Sequence, residues 1–163
     1  MTKNNADLDS FDLKILDRYQ RDTRASAQSI GEAVGLSAAA VQRRLKAMRE
    51  AGVIVAEIAQ LAPERVGYPV TCVVGVRLER ENLGENARFK KKMARHRQVQ
   101  QCYAVTGELD YVLVVLARDM QHFEAFTQDA LYDDPNVRGF TTFVSLDRVK
   151  VGTSTPIDIP PAG

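Results

Sequence analysis

The sequence predicts an α+β protein: an N-terminal helix-turn-helix followed by a C-terminal ferredoxin-like βαββαβ sandwich. Three observations carry this prediction. Three short helical patterns follow one another between Asp12 and Gly52, β-branched alternation replaces helical spacing after Gly52, and from Val70 onward strand-length and helix-length runs alternate in the βαββαβ order.

The first helix shows as Leu13, Ile15, Leu16 and Tyr19 recurring at helical spacing from Asp12. Asp7, Asp9, Ser10 and Asp12 place acidic and capping groups at its start, where the helix dipole is positive, and it should end near Asp22. Ser26 suits the N-cap of a second, short helix carrying Ile30, Ala33 and Val34; Gly31 weakens that helix and Gly35 stops it. Ser37 caps a third helix in which Val41, Leu45 and Met48 form one inward stripe, ending at Gly52. The run Val53 to Ile58 then reads as a strand leading out of the helical module. Pro63, Gly67 and Pro69 punctuate the chain just beyond, so the boundary is placed near Leu61.

The second module opens with a strand over Val70 to Leu78, then a helix from about Glu85 to His96 with Phe89 and Met93 inward. Val99 to Thr106 and Asp110 to Ala117 read as a hairpin around Gly107-Glu108-Leu109. Met120 to Leu131 is helical with Phe123, Phe126 and Leu131 inward, and Val137 to Leu146 is the last strand. Both helices of such a sandwich lie on one sheet face, and a second subunit is the simplest cover for the other, so at least a homodimer is expected. Thr153 to Gly163, with three prolines and no periodicity, reads as an extended tail. The expected domains are therefore 1–61, 62–152 and a tail over 153–163.

Composition narrows the function. The 163 residues are 45% hydrophobic and 26% charged with a net charge of +1, so any affinity for nucleic acid must come from a local patch rather than overall charge. No apolar run approaches the roughly 18 residues of a membrane span, which points to the cytoplasm. Cys72 and Cys102 lack the close spacing of metal or redox motifs and read as two buried thiols. No phosphate loop, nucleophile motif or metal-spaced carboxylate pair calls for a cofactor or an enzyme reading.

The local patch lies on the third helix. From Ser37 to Arg49 there are four basic residues and no acidic one. Opposite the inward stripe, Ala39, Gln42, Arg43 and Lys46 share a face, small near the helix start and long and basic beyond it. That suits a helix laid in a major groove, where Gln pairs with adenine and Arg with guanine. Gln42 and Arg43 are the candidate base readers; Arg44, Lys46 and Arg49 are candidates for phosphate, and Ser37 can donate to one. A second basic cluster, Arg88, Lys90, Lys91, Lys92, Arg95 and Arg97, reads as a solvated helix face.

Leu8-Asp9, Asp12 with Ile15-Leu16, Asp22, Arg24, Val34-Gly35-Leu36-Ser37, Arg44, Gly52-Val53-Ile54, Gly67-Tyr68, Thr106-Gly107, Asp110-Tyr111 and Val149-Lys150 occur in an order that resembles the Lrp/AsnC family of feast/famine regulators. The resemblance implies a winged helix-turn-helix on double-stranded DNA, a hinge strand, and an αβ-sandwich that dimerises, assembles into octamers in many members and binds an amino acid. Ser29 and Ala38 to Ala40 depart from residues frequent in the family, which leaves the operator sequence open.

The turn Thr106-Gly107-Glu108-Leu109-Asp110-Tyr111 is the effector candidate. Its backbone N–H groups can hold a carboxylate and Asp110 an ammonium group, the two charges of a free amino acid. The resemblance places this turn at the family's effector cleft, with Thr141, Thr142, Phe143 and Val144 as the far wall. Two other readings stand beside this one: an architectural DNA-binding protein without effector, and, by resemblance to sirohaem decarboxylases, a tetrapyrrole enzyme using His96 or His122.

Overall fold

The computed structural model describes residues 8–79 and 82–160. They fall into two compact units, one drawn from Met1–Ala59 and Lys150–Gly163, the other from Gln60–Val149.

In the first unit, α1 spans Ser10–Tyr19, α2 Ala27–Val34 and α3 Ala38–Glu50. Helix α1 starts two residues before the expected Asp12 because Asp9 forms a reciprocal capping box: its carboxylate accepts from the N–H groups of Phe11 and Asp12, and the Asp12 carboxylate accepts from Asp9 N–H. It stops at Tyr19, short of Asp22, with Gln20 as C-cap. Asp7, also expected at this end, lies outside the described residues. Ser26 and Ser37 cap α2 and α3 as expected, accepting from Ser29 N–H at 3.1 Å and Ala40 N–H at 3.2 Å. Ile15, Tyr19, Ile30, Val34, Val41, Leu45 and Met48 make one core, with Val53 and Ile54 packed against it.

Gly31 has a larger role than its helix propensity suggested. Its carbonyl accepts from the N–H groups of Gly35, which sits in the left-handed region, and Leu36, closing the turn between α2 and α3. A Cβ on Gly31 would come within 2.4 Å of the Leu36 carbonyl oxygen, a backbone atom that cannot swing aside. Gly31→Ala is therefore expected to cost about 1–3 kcal/mol through forced backbone shifts. Thermal unfolding followed by circular dichroism checks this, and an unchanged midpoint would contradict it.

The strand expected over Val53 to Ile58 does not form. Val53 and Ile54 N–H groups both fold back to the Met48 carbonyl, at 2.9 and 3.2 Å, and finish α3 instead. Val55 and Ile58 are exposed. β-branched residues yield a strand only where a neighbouring strand completes the ladder, and the described residues of this unit contain none. The C-terminal segment is also more than a tail: it has no helix or strand over 150–160, yet it belongs to the first unit, where the Gln20 side chain holds Thr155.

In the second unit, a 3₁₀ turn at Pro63–Val66 precedes β1 (Val70–Leu78), α4 (Leu83–Met93), β2 (Val99–Ala104), β3 (Tyr111–Ala117), α5 (Met120–Thr127) and β4 (Val137–Val144). The strands pair antiparallel in the order β2-β3-β1-β4, the ferredoxin-like arrangement. Helix α5 runs on into a π-helical turn, Gln128–Tyr132, which lets Ala130 and Leu131 stay buried after Phe126. Phe89 and Met93 of α4 and Phe123 and Phe126 of α5 bury against Cys72, Val74, Val76, Leu113 and Val115, so both helices cover one sheet face. Cys72 is buried in this core, but Cys102, expected to be buried too, is exposed because β2 is an edge strand. By register the opposite face carries Val73, Val112, Val114, Leu116, Tyr103, Thr141 and Phe143, and no other element of this unit forms a second layer there among the described residues.

Candidate nucleic-acid and effector sites

The face of α3 opposite Val41, Leu45 and Met48 presents Ala39, Gln42, Arg43 and Lys46 to solvent. Among the described residues Gln42 and Arg43 bond to nothing, so both side chains keep their full set of donors for a ligand. Lys46 has only a long, exposed contact with Glu50 at 3.8 Å, which a phosphate would readily replace. Ser37 Oγ accepts from Ala40 N–H and retains its own hydroxyl proton to donate.

Arg44 and Arg49 are placed differently from the expected phosphate contacts. Arg44 Nη1 lies 2.8 Å from both Asp9 Oδ2 and Asp12 Oδ1, and its guanidinium packs 5.8 Å from the Phe11 ring centroid. It braces α3 against the start of α1. The Asp12 backbone N–H, followed by Arg44, holds the Asp9 carboxyl below its ordinary range. Arg49 Nη2 donates to Glu57 at 2.7 Å and to Tyr19 Oη at 2.9 Å, while the Tyr19 hydroxyl donates to the same Glu57 carboxylate. Arg49 thus ties the end of α3 to the segment that leaves it. Sequence spacing puts both arginines on α3; their partners, 32 and 35 residues away for Arg44 and 8 and 30 for Arg49, follow only from the fold.

Hydrogen bonds from Tyr19 and then Arg49 hold the Glu57 carboxyl below the usual carboxylate range. A carboxylate with a depressed folded pKa stabilises the fold above its unfolded pKa, and the contribution is lost as pH falls through the folded value. The Glu57 and Asp9 contributions should therefore persist at neutral pH and vanish on acidification below the usual carboxylate range. Glu57→Gln should flatten part of that acid limb, measured as Tm against pH. An unaltered acid limb would show that Glu57 is not coupled to folding.

The turn after β2 is fixed at two points. Asp110 N–H donates to the Val76 carbonyl at 2.9 Å, and Asp110 Oδ2 accepts from Leu78 N–H at 2.6 Å. The β1–β4 register shifts between Arg77 and Leu78, so the carboxylate takes up a donor at that irregularity. Leu109 folds across the open sheet face onto Gly75, where a Cβ would meet its Cδ1 at 2.6 Å. Thr106, Gly107 and Glu108 are exposed, and the backbone N–H groups of 106–109 bond to nothing among the described residues.

The fold brings together only part of the expected effector set. Thr141 pairs with Gly75 and Phe143 with Val73, so these two share the open face with Leu109. Thr142 and Val144 alternate to the helix side, as the two-residue period of a strand requires, and turn away from the candidate site. Tyr111 is buried and stacks on Phe89 at 4.6 Å between centroids, so its ring belongs to the core. Conversely, Gly75, against which Leu109 of the turn packs, stands outside the expected set, although a glycine inside a strand signals close approach. In the basic cluster of α4, Arg88 and Lys92 are anchored on the buried Asp134, at 2.8 and 3.4 Å.

Comparison with known proteins finds a family match for both parts of the chain. The AsnC-type helix-turn-helix domain matches residues 8–49, and the Lrp/AsnC ligand binding domain matches residues 71–155. An HTH-type transcriptional regulator of Sinorhizobium fredii is 41% identical over 94% of this chain and 90% of its own length. The Bkd operon transcriptional regulator of Pseudomonas aeruginosa is 32% identical over 93% of this chain and 99% of its own. Among solved structures, a Neisseria meningitidis transcriptional regulator in complex with L-methionine superposes with a TM-score of 0.84 at 32% identity, covering 91% of this chain and 96% of that one.

These relatives are regulators, which removes the tetrapyrrole decarboxylase reading. The two histidines have packing roles: His96 stacks edge-on to Phe126, and His122 Nδ1 accepts from Arg118 N–H. No helix among the described residues is long and apolar enough to cross a membrane. The chain belongs to the Lrp/AsnC family of transcriptional regulators and is not an enzyme.

Proposed function

We propose that this chain is a sequence-specific regulator of transcription in the cytoplasm, whose assembly and operator binding respond to a small effector, an amino acid. The observation that carries the reading is the division of labour on α3. Arg44 and Arg49 are held by carboxylates and orient the helix, while Gln42 and Arg43 stand exposed with every donor available. Ser37, with its hydroxyl proton free, and Lys46, with only a long exposed contact to Glu50, would hold the flanking phosphates.

The open sheet face supports a homodimer. Phe143 is 61% exposed there and Val73, Val112, Val114 and Leu116 are only partly covered, an apolar surface that water disfavours. An octamer built from such dimers follows the family pattern, and sedimentation of the full chain tests it. At the turn, the free N–H groups of 106–109 suit a carboxylate and Asp110 Oδ1 an ammonium group.

The test is binding of the full chain to its own upstream DNA, alone and with each amino acid in turn. The expected result is preferential binding over random DNA, altered by at least one amino acid. Equal affinity for all sequences, unmoved by any amino acid, would overturn this reading in favour of an architectural protein.

A further inference from the structure

Residues 150–160 contain neither helix nor strand, yet they belong to the first unit and one side chain docks them there. Gln20, the residue that closes α1, meets Thr155 with both ends of its side-chain amide. Its Nε2 donates to the Thr155 carbonyl and its Oε1 accepts from the Thr155 N–H, each at 2.9 Å. This is the pairing one strand residue gives another, supplied here by a side chain, and it uses both backbone polar groups of Thr155. Four residues on, the exposed Ile159 borders an open recess lined by Lys14, Asp17 and Arg18 of α1 and Ala33 and Val34 of α2. Pro156 and Pro160 bracket this stretch and stiffen it as an extended segment.

The chain passes between its two units twice, once near residue 59 and again near residue 149. The first passage, over residues 55–60, has no secondary structure. Beyond Glu57, which Arg49 and Tyr19 hold, it is a tether without regular structure. Docking the second passage closes a loop through both units and removes much of that freedom. The docking pair falls on the C-cap of α1, leaving the exposed face of α3 available.

We propose that residues 150–160 are a strap which restrains the DNA-binding unit at a second point and thereby fixes the spacing of half-sites that an assembled protein reads. The strap rests on the reading of α3 as the DNA-binding element of an oligomer. Two reading heads on one assembly gain avidity only when the geometry lets both engage at once. A strapped head tolerates few spacings and an unstrapped one tolerates many.

Two full-length variants undock the strap without touching the core or α3. Gln20→Ala and Gln20→Leu each remove both the acceptor for Thr155 N–H and the donor to its carbonyl, the second at nearly unchanged side-chain size. Amide hydrogen exchange at Thr155 reads the docking. Binding is measured on duplexes carrying the half-site footprinted in the protein's own upstream DNA, either once, or twice at separations of about 10 and about 15 base pairs.

Thr155 should exchange at least about tenfold faster in both variants than in the wild type, as expected for an amide released to solvent. The wild type should prefer one spacing by about tenfold or more, and the variants should lose that preference while binding the single half-site as the wild type does. Unchanged Thr155 exchange, or a spacing preference that survives undocking, would overturn the strap. Failure of the wild type to bind any half-site would instead sink the DNA-binding reading and the spacing role with it, and Thr155 exchange would still decide the docking.

Discussion

Arg43→Ala should weaken operator binding more than any other single change on α3. Arg43 is exposed, unpaired among the described residues and one position beyond Gln42, so its guanidinium is available for the bidentate contact that arginine makes to guanine. Such a contact discriminates by about 1–3 kcal/mol. In a dimer reading two half-sites the losses add to about 2–6 kcal/mol, or about 30-fold to 20,000-fold in Kd. Titration of operator and random duplexes at fixed salt tests this. The expected result is a loss concentrated on the operator. An equal loss on both, with a shallower salt dependence, would move Arg43 to the phosphate backbone. Arg44→Ala should behave differently, because it releases Asp9 and Asp12 and loosens the seat of α3. Its loss should appear in thermal stability as well as in DNA affinity.

The second large effect is expected at Asp110, where two variants separate two roles. Asp110→Ala removes the acceptor for Leu78 N–H and should cost about 1–3 kcal/mol of stability, the penalty for an unpaired buried donor. Asp110→Asn keeps an oxygen for that N–H and loses the charge. If the carboxylate also binds the ammonium group of an amino acid, both variants should retain operator binding and lose the effector response. A charge-assisted bond of about 1.5–3 kcal/mol corresponds to roughly 10-fold to 150-fold weaker effector binding. The measurement is operator titration in the presence of whichever amino acid moves the wild type. An Asn variant with the wild-type response would leave Asp110 as a structural strut alone.

Much of the architecture was legible in the sequence because its signals are local. Ser26 and Ser37 announce their caps, Val41, Leu45 and Met48 their stripe, and β1 appears at its observed bounds because nine largely apolar residues lie between Pro69 and a polar turn. The misses concern partners distant in the chain. Val53 to Ile58 has the composition of a strand without a ladder to join, and the segment from Lys150 has no pattern at all, its placement depending on one glutamine side chain. The sites divide in the same way. Helical periodicity places Gln42 and Arg43 outward, but it cannot show that Arg44 and Arg49 are already claimed by carboxylates from α1 and the segment after α3. Strand periodicity does imply that Thr142 and Val144 face away from Thr141 and Phe143, a rule that the expected four-residue wall overlooked.

Leu109 reaches from the candidate effector turn onto Gly75, in the middle of the apolar sheet face. A ligand that shifts Leu109 therefore changes the shape of the surface against which a second copy would sit. Thermodynamic reciprocity gives this a further meaning: whatever factor the ligand contributes to self-association, self-association must return to ligand affinity. The apparent effector constant would then not be a fixed property of the chain. It would drift with protein concentration, so a cell that changes the abundance of this regulator would also change the concentration of effector at which it responds.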